Sequence, residues 1–332
     1  MKYQGFGSAT RGGSAGSVFR VTSLNDSGPG TLRDALSKGN RHIVFDVGGE
    51  IILSGGYVPI RGAFVTIDGF TAPSPGITIR NGGIEISGKK GAHDVIVRGI
   101  RIRNSDKDGI RITNSAYNVV IDHVSIHGSE DGNLDITEGA HDVTVSWSIL
   151  AEPASGNKNM LIMYNNPRRI TLHHNLFTKA TSRSPQVQTD AAGTPAAETT
   201  VDMRNNLIWD WGRGYGSRIR YGPRVNVVGN LYASNRGDAE EALIVCPGRR
   251  CGTNDPASAA KVYAKGNVSA DRVDLDVRGN MNHPFPASVV DTQDACKAAL
   301  QVLSGAGVRP LDLIDQRYLS MLSLPLCSPV EP

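Results

Sequence analysis

Residues 94–102 read DVIVRGIRI: a polar residue, alternating apolar positions and a short second apolar run. The same pattern returns at Asn118 (NVVIDHVSI), Asp142 (DVTVSWSIL), Arg169 (RITLHHNLF), Thr200 (TVDMRNNLI), Arg224 (RVNVVGNLY) and Lys261 (KVYAKGNVS). Alternation rich in Val and Ile is typical of β-strands, so each segment predicts a strand, a bend and a second strand.

The spacing of these segments indicates how they assemble. Successive segments start between 24 and 37 residues apart. A period in the twenties with insertions of variable length is typical of a parallel β-helix, in which each repeat forms one coil and insertions form loops. Helical solenoids have longer repeats and a period of about 3.6 residues, which these segments lack. The sequence therefore predicts an all-β solenoid.

Composition agrees with this class and limits the partners. The 332 residues include 38 glycines and 17 prolines, which favour turns and short strands over long helices. A net charge of +3 without a long basic run gives no reason to expect nucleic acid, and no apolar stretch of about 18 residues predicts a membrane span. The first five residues lack a signal-peptide pattern, which fits a cytoplasmic protein or a mature secreted chain.

The four cysteines favour the secreted alternative. Of three possible pairings we expect Cys246 with Cys251, which flank a tight loop, and Cys296 with Cys327, which bracket the last segment. Two disulfides would imply an oxidising compartment, whereas four reduced thiols remain the alternative.

The whole chain, 1–332, is expected to form one domain with a cap at about 1–42, coils at about 43–285 and an irregular, partly helical tail at about 286–332. Residues 31–36 (TLRDAL) predict a short capping helix, because Thr31 is a favourable N-cap residue and an acid follows three positions later. The tail would either cover the far end of the coils or pack along their side. With both ends covered, we expect a monomer.

Asparagine recurs at an equivalent position in four coils. Stacked asparagines can form side-chain hydrogen bonds from coil to coil, which predicts a structural ladder. Its members would be Asn175, Asn206, Asn230 and Asn267.

Five charged residues interrupt the apolar pattern at nearly the coil period. They are Asp108, Asp131, Asp135, Lys158 and Arg183, with steps of 23 to 25 residues from coil to coil. Residues one coil apart lie about 4.8 Å from each other, so these side chains should form one strip on one face. Three carboxylates suit calcium, and the two cations could bind an anionic sugar. The alternative is a solvated charged face with incidental ion pairs.

Two histidine-containing pairs appear less suited to catalysis. Asp122 and His123 are adjacent on a predicted strand, as are His173 and His174. Neighbouring strand residues point to opposite faces, so we expect each pair to diverge and to serve structure.

Several stretches, in order, resemble the bacterial pectate lyases of polysaccharide lyase family one. They are GFGSATRGG, VTSLNDSGPGTLRDAL, IVFDVGGEI, VTIDGFTAPSPGITI, VVIDHVSI, EDGNLDIT, ITLHHNLF and SRSP, and the likeness runs from about residue 5 to 235. The resemblance implies a right-handed, single-stranded parallel β-helix that binds polygalacturonate along one sheet and uses calcium.

By the same resemblance, the calcium aspartates are Asp108, Asp131 and Asp135, with Asp106 as a possible further ligand. Lys158 would bind substrate, and Arg183 would be the base that starts β-elimination. An arginine is normally only a donor, with a pKa above about 12, so Lys158 is kept as the alternative base.

The chain departs from the family where R-x-P-R-x-R is common. Here Gln186 and Gln188 stand in place of arginines, and Gln188 is expected to face the substrate. The change lowers the expected affinity for uronate and could favour partly methyl-esterified pectin, unless Arg213, Arg218 and Arg220 supply the missing positive charge. A β-helical polygalacturonase and a non-catalytic carbohydrate-binding solenoid are the remaining alternatives.

Overall fold

The computed structural model describes residues 2–190, 200–246, 259–270, 273–324 and 327. Within these ranges the chain winds into a single-stranded parallel β-helix, as the repeat predicts. Successive coils pair in parallel along three sheets, which we name sheets A, B and C.

Each sheet collects one strand from each coil. Sheet A contains β1 (Ser17–Val21), β2 (Arg41–Phe45), β5 (Val65–Asp68), β8 (His93–Arg98), β11 (Tyr117–Asp122), β14 (His141–Ser146), β17 (Arg168–His173), β20 (Thr200–Arg204), β23 (Arg224–Val228) and β26 (Lys261–Lys265). Sheet B contains β3 (Gly49–Ile52), β6 (Ile77–Arg80), β9 (Ile100–Arg103), β12 (Ser125–His127), β15 (Ile149–Ala151), β18 (Leu176–Thr178), β21 (Leu207–Trp209), β24 (Leu231–Ala233) and β27 (Val268–Ser269). Sheet C contains β4 (Tyr57–Ile60), β7 (Gly83–Ser87), β10 (Ile110–Thr113), β13 (Leu134–Thr137), β16 (Met160–Met163), β19 (Gln186–Gln188), β22 (Ser217–Arg220) and β25 (Leu243–Val245).

The apolar repeat forms columns inside the coils. Val95, Val119, Val143 and Ile170 are register partners on successive strands of sheet A, and all four are fully buried. Each inward residue therefore rests on its equivalent one coil away, and the resulting core grows with every coil added. The alignment made from the sequence has the correct register.

The predicted strand, bend and second strand are confirmed for each of the seven repeated segments, in sheets A and B. A complete coil adds a third strand, in sheet C, that the repeat did not reveal. It is only three to five residues long and carries one or two inward apolar positions. Alternation over so few residues is too weak to identify a strand from sequence alone.

The predicted asparagine ladder is confirmed. Asn175 donates from Nδ2 to Oδ1 of Asn206 (3.0 Å), Asn206 to Asn230 (2.9 Å), and Asn230 to Asn267 (3.0 Å). The second amide hydrogens bond main-chain carbonyls, such as that of Leu172. The ladder thus satisfies polar groups at a corner of the coil that is closed to water.

The N-terminal segment crosses the outer face of sheet A rather than forming only a cap. The main-chain amides of Phe6, Gly7 and Gly13 donate to the hydroxyls of Thr171 (3.0 Å), Thr144 (2.9 Å) and Thr66 (2.9 Å), respectively. Gly7 is required there, since a Cβ would collide with the main chain of β11. The stacked sheet itself begins at β1, inside the segment assigned to the cap.

The predicted capping helix is present as α1 (Leu32–Ala35), with the Thr31 hydroxyl accepting a hydrogen bond from the amide of Asp34. The C-terminal tail contains α2 (Ala295–Gly305) and α3 (Leu313–Met321), whose buried residues pack against sheet B. The tail therefore packs along the side of the coils.

Ionic and covalent links hold this tail in place. Arg103, on β9, donates to Asp312 (2.8 Å) and Asp315 (3.0 Å). The predicted Cys296–Cys327 disulfide is confirmed, whereas the predicted partner of Cys246, Cys251, lies outside the described residues. Among the described residues, the helices are too short and too polar for membrane crossing.

The ladder gives a first prediction. Asn206→Ala leaves the Asn175 amide and the Leu172 carbonyl buried without their partner, each at a cost of about 1–3 kcal/mol. We expect the melting temperature in calorimetry to fall by about 5 °C or more. Asn25→Ala, at an exposed position, is the control and should change it little. Equal melting temperatures for the two variants would contradict the assigned role.

Candidate active site

Three carboxylates meet beside sheet C. Asp135 points outward from β13, between the buried Leu134 and Ile136, while Asp108 and Asp131 lie in the turns that precede β10 and β13. One oxygen from each carboxylate lies within 4.8 Å of the others. Asp108 and Asp135 are buried, and Asp131 is exposed. The structure therefore brings together the three predicted metal ligands.

The ammonium group of Lys158 lies among these carboxylates. Its Nζ is 2.8 Å from Asp135 Oδ2, 3.0 Å from Asp131 Oδ1 and 3.5 Å from Asp108 Oδ1. Only 4% of Lys158 is exposed. A buried cation thus balances part of the charge of a carboxylate cluster that could not otherwise remain ionised together.

The cluster shifts the titration of its members. Burial, with help from the neighbouring Asp108 carboxylate, raises the pKa of Asp135 to about 7. Burial also raises the pKa of Asp108. Burial alone would lower the pKa of Lys158, but Asp135 and Asp108 outweigh it, and the net pKa is raised.

Tyr57 is a participant that the sequence did not reveal. Its hydroxyl donates to Asp108 Oδ2 (2.8 Å) and accepts the Asp108 amide (3.2 Å), which fixes this carboxylate against β4. Asp106, the possible fourth ligand, instead accepts the amide of Gly56 (2.8 Å) and does not belong to the group of three. Only the register of β4, two coils before β10, could have indicated Tyr57.

The residues fit a hard divalent cation. Asp108 Oδ1 and Asp135 Oδ1 are buried and have no hydrogen-bond partner among the described residues. Carboxylate oxygens that lie close together without a hydrogen bond are the ligands calcium prefers, since it tolerates irregular oxygen coordination. The site could therefore hold calcium between the same three side chains.

Arg183 lies one coil beyond Lys158, in the turn before β19. The Met160 amide, which starts β16, donates to the Arg183 carbonyl (2.9 Å). The φ of Arg183, 57°, lies in the left-handed region, which costs a non-glycine residue about 1–2 kcal/mol. Arg183 Nε is buried and has no hydrogen-bond partner among the residues that the structure describes. The strained turn thus holds an arginine whose Nε makes no hydrogen bond to the described residues.

The two glutamines continue this face along sheet C. Gln186 is the register partner of Leu161 on one side and of Arg218 on the other. Its Oε1 accepts from Arg218 Nη2 (2.6 Å) and from the Tyr215 hydroxyl (2.5 Å), while its Nε2 donates to Gln188 Oε1 (2.6 Å). Both the oxygen and the nitrogen of the Gln186 amide are therefore hydrogen-bonded within the protein.

Arg220, another predicted substrate-binding cation, is the register partner of Gln188. Its guanidinium stacks on the Tyr221 ring at 3.9 Å. Arg220 Nε has no hydrogen-bond partner within the described part of the chain. The predicted residues Gln188, Arg218 and Arg220 thus occupy strands β19 and β22 of the sheet that carries the carboxylates.

A sequence profile described as pectate lyase matches residues 58–192. The chain is 36% identical to a probable pectate lyase C of Aspergillus flavus over 345 residues, covering 96% of this chain and 75% of the relative. A probable pectate lyase C of Aspergillus oryzae gives the same identity and coverage. The chain belongs to the pectate lyase family. It is therefore an enzyme of the polysaccharide lyase class.

Solved structures share the family fold. Pectate lyase Bsp165PelA from Bacillus sp. N165, in complex with trigalacturonate, superposes with a TM-score of 0.68 and 22% identity over 92% of this chain and 98% of that one. Jun a 1, the major allergen of cedar pollen, gives a TM-score of 0.71 and 19% identity, with 92% of both chains covered. At such identities the likeness establishes the β-helix and not the residue roles.

A separate cavity of about 340 Å³ lies outside sheet A and contains none of the predicted site residues. It is lined by both histidine pairs, and here the expectation of diverging side chains was wrong. His123 Nδ1 lies 2.8 Å from Asp122 Oδ2, and His173 Nδ1 lies 3.1 Å from His174 Nδ1. His123 and His174 have positive φ values of 47° and 55°, so the strand has already turned and the alternation rule no longer applies.

The buried histidines make stability depend on pH. Burial, reinforced by His174, lowers the pKa of His173 to about 3, against about 6.5 in the unfolded chain. The folded state therefore binds fewer protons, and stability present above pH 6.5 is lost as the pH falls towards 3, at about 1.4 kcal/mol per unit. We expect a lower melting temperature at pH 5 than at pH 7.5.

His173→Asn should reduce this pH dependence, because an amide does not titrate and can retain a polar contact with His174. His283→Asn, at an exposed position, is the matched control and should retain the wild-type slope. An unchanged slope in His173→Asn would contradict the assignment.

Proposed function

We propose that this chain is a calcium-dependent lyase that cleaves α-1,4-linked polygalacturonate by β-elimination, leaving unsaturated oligogalacturonides. One observation supports the proposal: three carboxylates and the Lys158 ammonium converge beside sheet C, and Arg183 follows in the equivalent turn one coil further along. Such a strip can bind a divalent cation and a polyanionic sugar at the same place.

Asp108, Asp131 and Asp135 would hold the calcium ion. When bound, calcium supplies a positive charge that stabilises the negative charge developing on a uronate carboxylate. Tyr57 positions Asp108 for this task through its two hydrogen bonds. Main-chain hydrogen bonds join each ligand-bearing turn to the next coil, as from the Gly109 amide to the Gly132 carbonyl (3.0 Å).

We assign the base to Arg183 and the role of a binding cation to Lys158. In the structure, the site carboxylates bind the Lys158 ammonium and raise its pKa. Arg183 Nε has no such partner within the described residues. In the reaction, Arg183 in its neutral form would take the proton from the carbon that bears the carboxylate. The electron pair of that bond then forms a carbon–carbon double bond, the bond to the glycosidic oxygen breaks, and the departing oxygen takes up a proton, so no water is added across the bond.

Substrate would extend along sheet C towards β22. The solved pectate lyase that was crystallised with trigalacturonate supports an oligogalacturonide ligand. Arg220 and Gln188 would contact further sugar residues, because they lie on the strands that follow Arg183. We also propose that the chain acts as a secreted, single-domain monomer, and the Cys296–Cys327 disulfide supports secretion.

A preference for partly methyl-esterified pectin is a second candidate. Gln186 is neutral and engaged by Arg218 and Tyr215, so this position offers no free cation to a uronate. An uncharged ester would lose less binding there than on a surface with an arginine.

Ultraviolet absorbance of unsaturated product, recorded with polygalacturonate in the presence of calcium or of a chelator, tests the function. A signal that requires calcium is expected. Arg183→Ala should lower kcat by about 100-fold or more, because a general base is lost. Asp46→Asn, at an exposed ion pair with Arg20, is the control and should keep full activity.

Hydrolysis would appear differently in the same assay. A polygalacturonase would release reducing ends without the absorbance and without calcium, and a binding module would give neither signal. Either result would refute the lyase assignment.

The arginines on β22 give a further prediction. Arg220→Ala should raise the KM for polygalacturonate about tenfold with little change in kcat, since one charge-assisted contact to a uronate is lost. The rise should be smaller on highly methyl-esterified pectin. Arg80→Ala, on sheet B beside Glu50, serves as the control. If both substrates kept an unchanged KM, Arg220 would have no place in the binding surface.

A further inference from the structure

The position of Lys158 has a consequence for metal binding. Its Nζ lies within 3.0 Å of oxygens from Asp135 and Asp131 and 3.5 Å from Asp108. These are the three carboxylates that would coordinate calcium, at about 2.3–2.6 Å. An ammonium and a divalent cation that share the same oxygens would repel each other strongly at such short range. Only one of them can occupy the site at a time.

Gly132 makes this arrangement sterically possible. A Cβ at position 132 would overlap the Cε of Lys158, and its three nearest atoms all belong to the Lys158 side chain. The φ of Gly132 is not in the left-handed region, so the backbone accepts other residues. Glycine at this position therefore leaves room for the methylene groups of Lys158. The backbone conformation of the turn does not itself require a glycine.

We propose that Lys158 is the resident counter-ion of the metal site, that Gly132 positions it there, and that calcium binding expels the ammonium. The released side chain can then bind a carboxylate of the substrate. Calcium binding is thereby coupled to binding of the uronate chain, because the Lys158 side chain takes part in both. This inference rests on the proposed function, because it assumes that the carboxylates bind calcium.

Calorimetric titration of calcium into the metal-stripped protein, without substrate, is the test. Gly132→Ala keeps the lysine charge but displaces its stem, and should bind calcium several-fold more tightly than the wild type. Lys158→Met removes the competitor altogether and should bind about tenfold more tightly, as expected when the competent state is about one tenth populated.

Lys107→Met controls for the loss of charge alone. Lys107 is exposed and adjacent in sequence to Asp108, so its removal changes the local charge without emptying the site. Its calcium affinity should stay close to that of the wild type. Lys158→Met could also be unstable without metal, because two buried carboxylates lose their partner. Gly132→Ala keeps every charge and provides the result in that case.

The outcomes separate the inference from the function. If the wild type binds calcium and forms unsaturated product, but Gly132→Ala binds calcium no more tightly, displacement is wrong and the lyase assignment stands. Equal tightening in Lys107→Met and Lys158→Met would also refute displacement, since general charge would explain both. If the wild type neither binds calcium nor forms the product, the proposed function fails together with the inference.

Discussion

Parallel hydrogen bonding between successive coils is the constraint on which the rest of the structure depends. It places residues of adjacent coils about 4.8 Å apart, whatever the length of the loops between them. Val119 therefore rests between Val95 and Val143 in the core. On the outside, the same register places Asp135 beside Arg111 and Leu161. The same repeat therefore sets both the packing of the core and the positions of the charged residues on the outer surface.

The N-terminal and C-terminal segments cover sheets A and B, and this leaves sheet C for the candidate site. The N-terminal segment donates main-chain hydrogen bonds to threonines on the outer face of sheet A, and it meets the C-terminal segment where the Gly5 amide bonds the Val289 carbonyl (3.1 Å). Helices α2 and α3 pack on sheet B, tied through Arg103. These segments protect backbone and apolar surface that a solenoid would otherwise expose. The candidate site occupies the remaining sheet.

Charge balance explains the form of the site. Buried carboxylates are unfavourable unless they are paired, and here Lys158 supplies the pairing that a cation would supply. Asp108 and Asp135 nevertheless retain one buried oxygen each without a hydrogen bond among the described residues. In the proposed function, a divalent cation would replace Lys158 and supply the positive charge that these carboxylates need.

The sequence by itself determined the coil, its register and the asparagine ladder, because each depends on a residue type repeated at a fixed period. The period also selected Asp108, Asp131 and Lys158 as neighbours. Tertiary structure alone decided the third strand of each coil, the hydrogen bonds from Tyr57 and the contact of His173 with His174. These features depend on where the backbone turns and on which distant side chain fills the space beside the turn. A local apolar pattern does not encode such contacts.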